Sequence, residues 1–308
     1  MVKVQTCRPL MREIWQARYL YLLVLPVALW IAVFSYGPMY GLLLAFKDYS
    51  ARLGILGSEW VGLKHFRRIF SSPDAIRAIR NTLLISTGRL ALEFPVPIAI
   101  AILLNEMPGR RLKRVYQTVL TFPHFLSWIV VSLILSNFLS NDGAINTMLS
   151  RMGMEKVRFF ASKPLFVPLL FLTQNWKEMG WSAIIYMAAI AGVNPSLYEA
   201  ATVDGASRLR QIWHVTLPGI RSTIIVLFIL QVGNVMNAGF EQIFTLRNPV
   251  VSSVAQVLDT YIYDITFMAR PNYGFSTAVG LFKALINVLL LLTANQVVAK
   301  LSDEKVFG

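Results

Sequence analysis

Apolar residues gather into six long runs in this sequence, and polar, turn-rich segments separate them. A helix needs about 20 mostly apolar residues to cross the hydrocarbon core of a bilayer, and each run is close to that length or longer. The first run is uncharged from Tyr19 to Phe46, longer than the apolar part of a signal peptide, so we expect it to be retained. The predicted spans are residues 19–36, 81–104, 115–139, 164–192, 220–240 and 273–299.

This pattern predicts an all-α polytopic membrane protein with six transmembrane helices. Residues 1–18 precede the spans, residues 19–299 form the transmembrane domain, and residues 300–308 form a tail. Six spans place both termini on one side of the membrane. Lysines and arginines divide equally between the loops of the two sides. The positive-inside rule, by which cytoplasmic loops carry more of them, gives most weight to short loops. The cluster Arg110–Arg114 and the basic N-terminal segment therefore favour cytoplasmic termini.

A polar segment, residues 194–218, lies between the fourth and fifth predicted spans. Asn194-Pro195 is typical of a helix start, because Asn caps the first amides and Pro needs no hydrogen-bond acceptor in the first turn. Gly205 readily takes the left-handed conformation that ends a helix. The segment predicts two short helices, residues 195–203 and 207–216, with a turn between them.

The small and acidic residues of this segment resemble the EAA loop of inner-membrane permease subunits of binding-protein-dependent ABC importers. The matching residues are Glu199, Ala200, Ala201, Asp204, Gly205, Ala206, Leu217 and Pro218. The resemblance implies the type I ABC importer permease fold, in which this loop is a cytoplasmic coupling helix that docks into a groove of the ATPase subunit. It also implies a second, similar permease, two ATPase subunits and an extracytoplasmic solute-binding protein as partners. The structural alternative is a capped helical turn that only joins two spans.

Further segments are similar to the subgroup of these permeases that imports complex or polysaccharide-derived oligosaccharides. They are residues 36–41, 123–128, 180–186, 239–244 and 276–283. The implied function is a permease subunit that passes oligosaccharides across the cytoplasmic membrane. One alternative is a secondary transporter, which usually shows inverted repeats with broken helices at matching positions. A membrane-embedded enzyme is the other.

Composition agrees with a membrane protein, because 56% of the residues are hydrophobic and 15% are charged, against about 25% charged in soluble domains. The net charge of +13 is scattered over loops, which favours anionic lipid headgroups over nucleic acid as a partner.

Cys7 is the only cysteine, and the three histidines share no metal-ligand spacing. The sequence contains no P-loop motif and no Gly-x-Ser-x-Gly motif. We therefore expect no enzyme site or cofactor in this chain; the resemblance implies that partner ATPase subunits bind ATP and Mg²⁺.

Polar residues inside predicted spans are candidates for a substrate path, since such groups usually face the bundle interior or a water-filled cavity. On a continuous fifth helix, four of them would share one face, each within about 60° of its centre. The candidate path residues are Gln231, Asn234, Asn237, Glu241, Lys283, Asn287, Trp176 and Lys177. Amides suit sugar hydroxyls, and tryptophan can stack on a sugar ring. The alternative role is bonding between helices, which is our interpretation of the i,i+4 pair Arg89 and Glu93.

Overall fold

Helices form almost all of the regular structure in the part of the chain that the computed structural model describes, which is residue 15 and residues 17–268 and 271–302. Most of the predicted segment 1–18, including Cys7, and residues 303–308 of the predicted tail lie outside these residues. Two short strands, β1 (Lys47–Asp48) and β2 (Glu59–Trp60), pair antiparallel.

The helices of the first half are α1 (Arg18–Ile31), α2 (Gly54–Gly57), α3 (Lys64–Ser71), α4 (Pro73–Glu93), α5 (Pro95–Glu106), α6 (Arg110–Thr121), α7 (Trp128–Leu139) and α8 (Ala144–Arg151). Those of the second half are α9 (Lys163–Ala191), α10 (Pro195–Val203), α11 (Arg208–Gln211), α12 (Leu217–Gly219), α13 (Arg221–Gly233), α14 (Phe240–Leu246), α15 (Ser252–Ala255), α16 (Leu258–Tyr263) and α17 (Tyr273–Ser302). Short 3₁₀ or π-helical turns are Ala32–Tyr36, Gly37–Phe46, Phe122–Phe125, Ile212–Thr216, Pro249–Val251 and Asp264–Met268.

Four helical segments among the described residues are long and apolar enough to cross a membrane, and a fifth is added if one bent pair is a single span. The four are Arg18–Phe46, Pro73–Glu106, Trp128–Arg151 and Tyr273–Lys300, and the pair is Arg208–Gly219 with Arg221–Gly233, bent by 62°. The remaining predicted span, residues 164–192, is α9. At 29 residues it is about 43 Å long. Lys177 and Glu178 make it less apolar, so the six-span prediction is confirmed only for four or five spans.

The third predicted span is not one continuous helix, which corrects the prediction for residues 115–139. Helix α6 ends at Thr121, the 3₁₀ turn Phe122–Phe125 follows, and α7 begins only at Trp128. Pro123 explains the break, because its ring removes an N–H donor and clashes with the preceding helical turn.

The fifth predicted span is also interrupted, because α13 ends at Gly233 and α14 begins at Phe240. A Cβ at Gly233 would lie 2.7 Å from Leu291 Cδ1, so α13 and α17 approach closely there. The Met236 N–H then donates to Asn287 Oδ1 of α17 (2.9 Å) instead of to its own helix. The prediction that Gln231 and the polar residues after it share one helix face was therefore wrong.

Helix α9 lies at the centre of the described bundle. Phe166 and Leu170 pack in one core with α4 and α14, while Ala183 and Ile190 pack in another with α5 and α13. At Gly180 an added Cβ would collide with the backbone of Leu120, so α9 crosses α6 at very short range. This crossing brings the polar middle of α9 against the break in the third span.

Candidate functional site

The 194–218 loop is held by caps at both ends of α10. The side-chain oxygen of Asn194 caps its start. At its end Gly205 has a φ of +73°, and the amides of Gly205 and Ala206 donate to Thr202 O (3.0 Å) and Ala201 O (2.8 Å). These two bonds form a Schellman motif. The predicted first helix and its glycine turn are confirmed.

A buried glutamine joins the two arms of the loop. Gln211 Nε2 donates to Thr202 Oγ1 (3.0 Å) and to Ala206 O (3.2 Å). Nearer the start of α12, Tyr198 Oη lies 3.0 Å from Thr216 Oγ1. Each contact links α10 to the segment that returns to α13, so the loop is braced as one unit. The second predicted helix is confirmed as helical, although only α11 is α-helical and a π-helical turn, Ile212–Thr216, completes it.

The loop exposes apolar and acidic side chains. Val203, Leu209 and Trp213 are 87%, 65% and 63% exposed, and Glu199 is exposed without an ion-pair partner among the described residues. Large exposed apolar patches mark protein-interaction or membrane-contact surfaces. The contacts of the loop leave these side chains exposed, so they are available to another surface.

A cavity of about 400 Å³ opens between α4, α5, α9 and α13, within the size range of small-ligand sites. Its polar lining comprises Glu93, Gln174, Asn175, Glu178, Ser182 and Gln231. Trp181 and Tyr186 add aromatic surface. The amides, hydroxyl groups and aromatic rings around this cavity match a ligand that offers many hydroxyl groups and apolar ring faces.

Charged side chains from α9 meet the break in the third span beside this cavity. Lys177 is buried, and its Nζ donates to Glu178 Oε1 (2.9 Å) and to His124 O (2.8 Å). His124 Nδ1 lies 2.6 Å from Glu178 Oε2. Trp181 stacks on the His124 ring with 4.3 Å between centroids and 2° between planes. The arrangement joins the adjacent cation and carboxylate of α9 to an imidazole more than 50 positions earlier in the sequence.

Residues 93–303 match the family model described as the binding-protein-dependent transport system inner membrane component. The chain belongs to this family. A polygalacturonan/rhamnogalacturonan transport system permease protein, YteP of Bacillus subtilis (strain 168), is 44% identical over 99% of this chain and 95% of that protein. LplB of the same organism is 44% identical over 94% of this chain and 91% of its own length.

A solved structure supports the same relationship. One chain of the crystal structure of a bacterial alginate ABC transporter, in complex with an alginate pentasaccharide-bound periplasmic protein, matches with a TM-score of 0.89. It is 37% identical, and the match covers 97% of this chain and 100% of that chain. The protein is thus a multi-pass membrane permease with the type I ABC importer fold. Family membership does not support the secondary-transporter alternative.

The permease brings only part of the predicted substrate path together. Gln231 lines the cavity, whereas Trp176 and Lys177 do not. Lys177 instead donates a hydrogen bond to its neighbour Glu178, which lines the cavity. Asn234 and Asn237 are exposed on the irregular segment after α13 and bond to each other (3.1 Å).

Three other predicted path residues lie away from the cavity. Lys283 forms an ion pair with Asp259, and Asn287 accepts the Met236 N–H. Glu241 is exposed in the first turn of α14. For Lys283 and Asn287, the structure therefore favours the bonding-between-helices alternative.

A buried polar network in this permease was missed from the sequence. Gln242 donates to Leu170 O (2.9 Å) and Thr173 Oγ1 (2.8 Å), and its Oε1 accepts from Arg89. The same guanidinium lies 3.6 Å from Glu93 Oε1, so the predicted i,i+4 pair forms, and Glu93 also lines the cavity. The sequence signal that could have revealed this network was the segment 239–244, which contains Gln242 and resembles the permease subgroup but was assigned no role.

Proposed function

We propose that this permease is the membrane subunit of an ATP-driven importer for polysaccharide-derived oligosaccharides. The observation that carries this proposal is the 44% identity, over 99% of the chain, to a permease named for polygalacturonan/rhamnogalacturonan transport. The match to the alginate transporter chain points to the same class of carbohydrate cargo. The remaining partners are a second, similar permease, two ATPase subunits that bind ATP and Mg²⁺, and an extracytoplasmic solute-binding protein.

The cavity supports this proposal as one wall of the translocation path. A sugar that leaves water loses hydrogen bonds, and each one left unreplaced costs about 1–3 kcal/mol. Gln231 has no hydrogen-bond partner for its amide among the described residues, so it is available to a sugar hydroxyl. Trp181, 44% exposed and held by His124, offers ring surface to the apolar face of a sugar.

The 194–218 loop supports coupling to the ATPase subunits. Its caps and the Gln211 bridge let it transmit a push or pull without deforming. The exposed Glu199 and Val203 would meet the ATPase surface, which requires this loop and both termini to lie in the cytoplasm. ATP-driven approach of the ATPase subunits would then swing the spans that flank the loop.

Uptake by the complete complex in proteoliposomes tests the proposal. A labelled oligogalacturonate should accumulate only when the binding protein is outside, ATP is inside and this chain is present. Uptake without ATP that requires an imposed ion gradient, and stops when that gradient is dissipated, would contradict the proposal, because an ion-coupled carrier behaves that way. Failure with oligogalacturonate but ATP-driven uptake of another glycan would change only the cargo.

A further inference from the structure

A strongly cationic hollow lies at the start of α6. Arg110, Arg111, Lys113 and Arg114 fall within the first five positions of this helix. Three of them, with Val115, line a hollow of about 640 Å³. No carboxylate lies within ion-pair distance of these four cations in the described part of the chain. Like charges this close repel one another, so an anion in the hollow would be stabilised by all of them.

An exposed apolar stripe begins where the cations end. Arg111, Val115, Val119 and Phe122 lie within about 80° on the helix surface. The three apolar members are each about 60% exposed, and no residue of α6 is buried. A cationic end followed by an apolar stripe matches the shape of an amphiphile with an anionic head and an apolar chain.

We propose that this hollow binds the headgroup of an anionic phospholipid, such as phosphatidylglycerol, with an acyl chain along the Val115–Val119–Phe122 stripe. Clusters of Lys and Arg beside a transmembrane helix attract anionic lipids. An acidic protein surface would satisfy the arginines, but it would leave the apolar stripe uncovered. The stripe therefore favours a lipid.

The lipid lies on the same side of the membrane as the 194–218 loop. Glu106, at the end of α5, lies 3.7 Å from Arg208 in α11, and the short turn after Glu106 leads directly into the hollow. The headgroup would therefore rest beside the base of the loop. This inference depends on the chain being embedded in a membrane and not on the identity of its cargo.

Native mass spectrometry of the intact transporter complex, reconstituted with phosphatidylcholine and phosphatidylglycerol, tests the site. The triple variant Arg110→Gln, Arg111→Gln, Arg114→Gln should retain phosphatidylglycerol about a hundredfold less well, since each arginine contributes about fivefold. The matched control is Arg151→Gln, Lys156→Gln, Arg158→Gln, which removes three exposed cations elsewhere and should retain the lipid. The charge-preserving triple Arg→Lys variant should also retain it.

Three results would overturn the proposal. One is unchanged phosphatidylglycerol retention in the Gln variant. Another is displacement of the lipid by inorganic phosphate at equal concentration, which would indicate a site for soluble anions. The third is loss of the ATPase subunits from the Gln variant with its lipid retained, which would assign the cluster to a protein interface. Each is read without transport, so a wrong cargo assignment leaves the test intact.

Discussion

His124 Nδ1 lies 2.6 Å from Glu178 Oε2, and this contact fastens the broken third span to α9. The chain is extended at Leu126 and Ser127, between the 3₁₀ turn and α7, so the helical hydrogen-bond ladder stops there. Lys177 of α9 supplies a donor to the His124 carbonyl that the break leaves free. The cluster therefore satisfies backbone that a continuous helix would satisfy by itself.

Neutralising Glu178 should destabilise the complex. In Glu178→Gln, the buried Lys177 loses its carboxylate partner, and we expect a loss of about 1–3 kcal/mol in the free energy of unfolding. Thermal unfolding of the purified complex measures it. Glu155→Gln is the matched control, because it removes an exposed carboxylate that has no ion-pair partner in the described part of the chain. A Lys177→Met, Glu178→Gln double variant should lose less than the sum of the single changes, and strict additivity would show that the pair does not interact.

Gly205→Val should abolish ATP-driven transport while the subunit still inserts. A φ of +73° costs about 1–3 kcal/mol for a residue other than glycine, and a β-branched side chain suffers most. A Cβ at this position meets nothing within 4 Å, so only the backbone conformation selects against Val. Gly205→Asn, which tolerates the left-handed region, should retain most transport. Uptake normalised to the inserted subunit measures both variants, and normal uptake by Gly205→Val would refute the coupling role of this turn.

Gln231→Leu should reduce uptake, whereas Asn287→Leu should reduce stability. Gln231 presents to the cavity an amide that has no hydrogen-bond partner among the residues the structure describes, so its loss should reduce uptake about fivefold or more per assembled complex, with unchanged thermal stability. Asn287 accepts the Met236 N–H, so its loss should lower stability by about 1–3 kcal/mol. Assembly, thermal unfolding and uptake should be measured on the same preparations. If Gln231→Leu lowered stability and left uptake per complex intact, Gln231 would be a structural residue.

Single cysteines should label from opposite sides of the membrane. In a Cys7→Ser background, Asn141→Cys should react with an impermeant thiol reagent added outside intact cells, because residue 141 is exposed between α7 and α8. Ser207→Cys, exposed in the 194–218 loop, should react only after permeabilisation. The reverse pattern would invert the proposed topology.

The sequence by itself determined the features that depend on neighbouring residues. Long apolar runs can bury themselves only in a bilayer, so membrane embedding followed from composition and order alone. The conformation of the 194–218 loop also depends on nearby residues, because the cap at Asn194 and the Schellman motif at Gly205 each involve residues no more than five positions apart. Its match to a known loop could therefore be recognised without a fold.

Only the tertiary structure decided which polar residues meet. Asn287 bonds to an amide 51 positions away, and Gln242 to Arg89 across 153 positions, so no local pattern reveals either pairing. The same holds for the end of α13 at Gly233, where close contact with α17 and an acceptor from that helix replace the helical ladder. A polar residue in a span costs free energy until it finds a partner, and the packing of remote helices determines whether that partner is another side chain or the cavity.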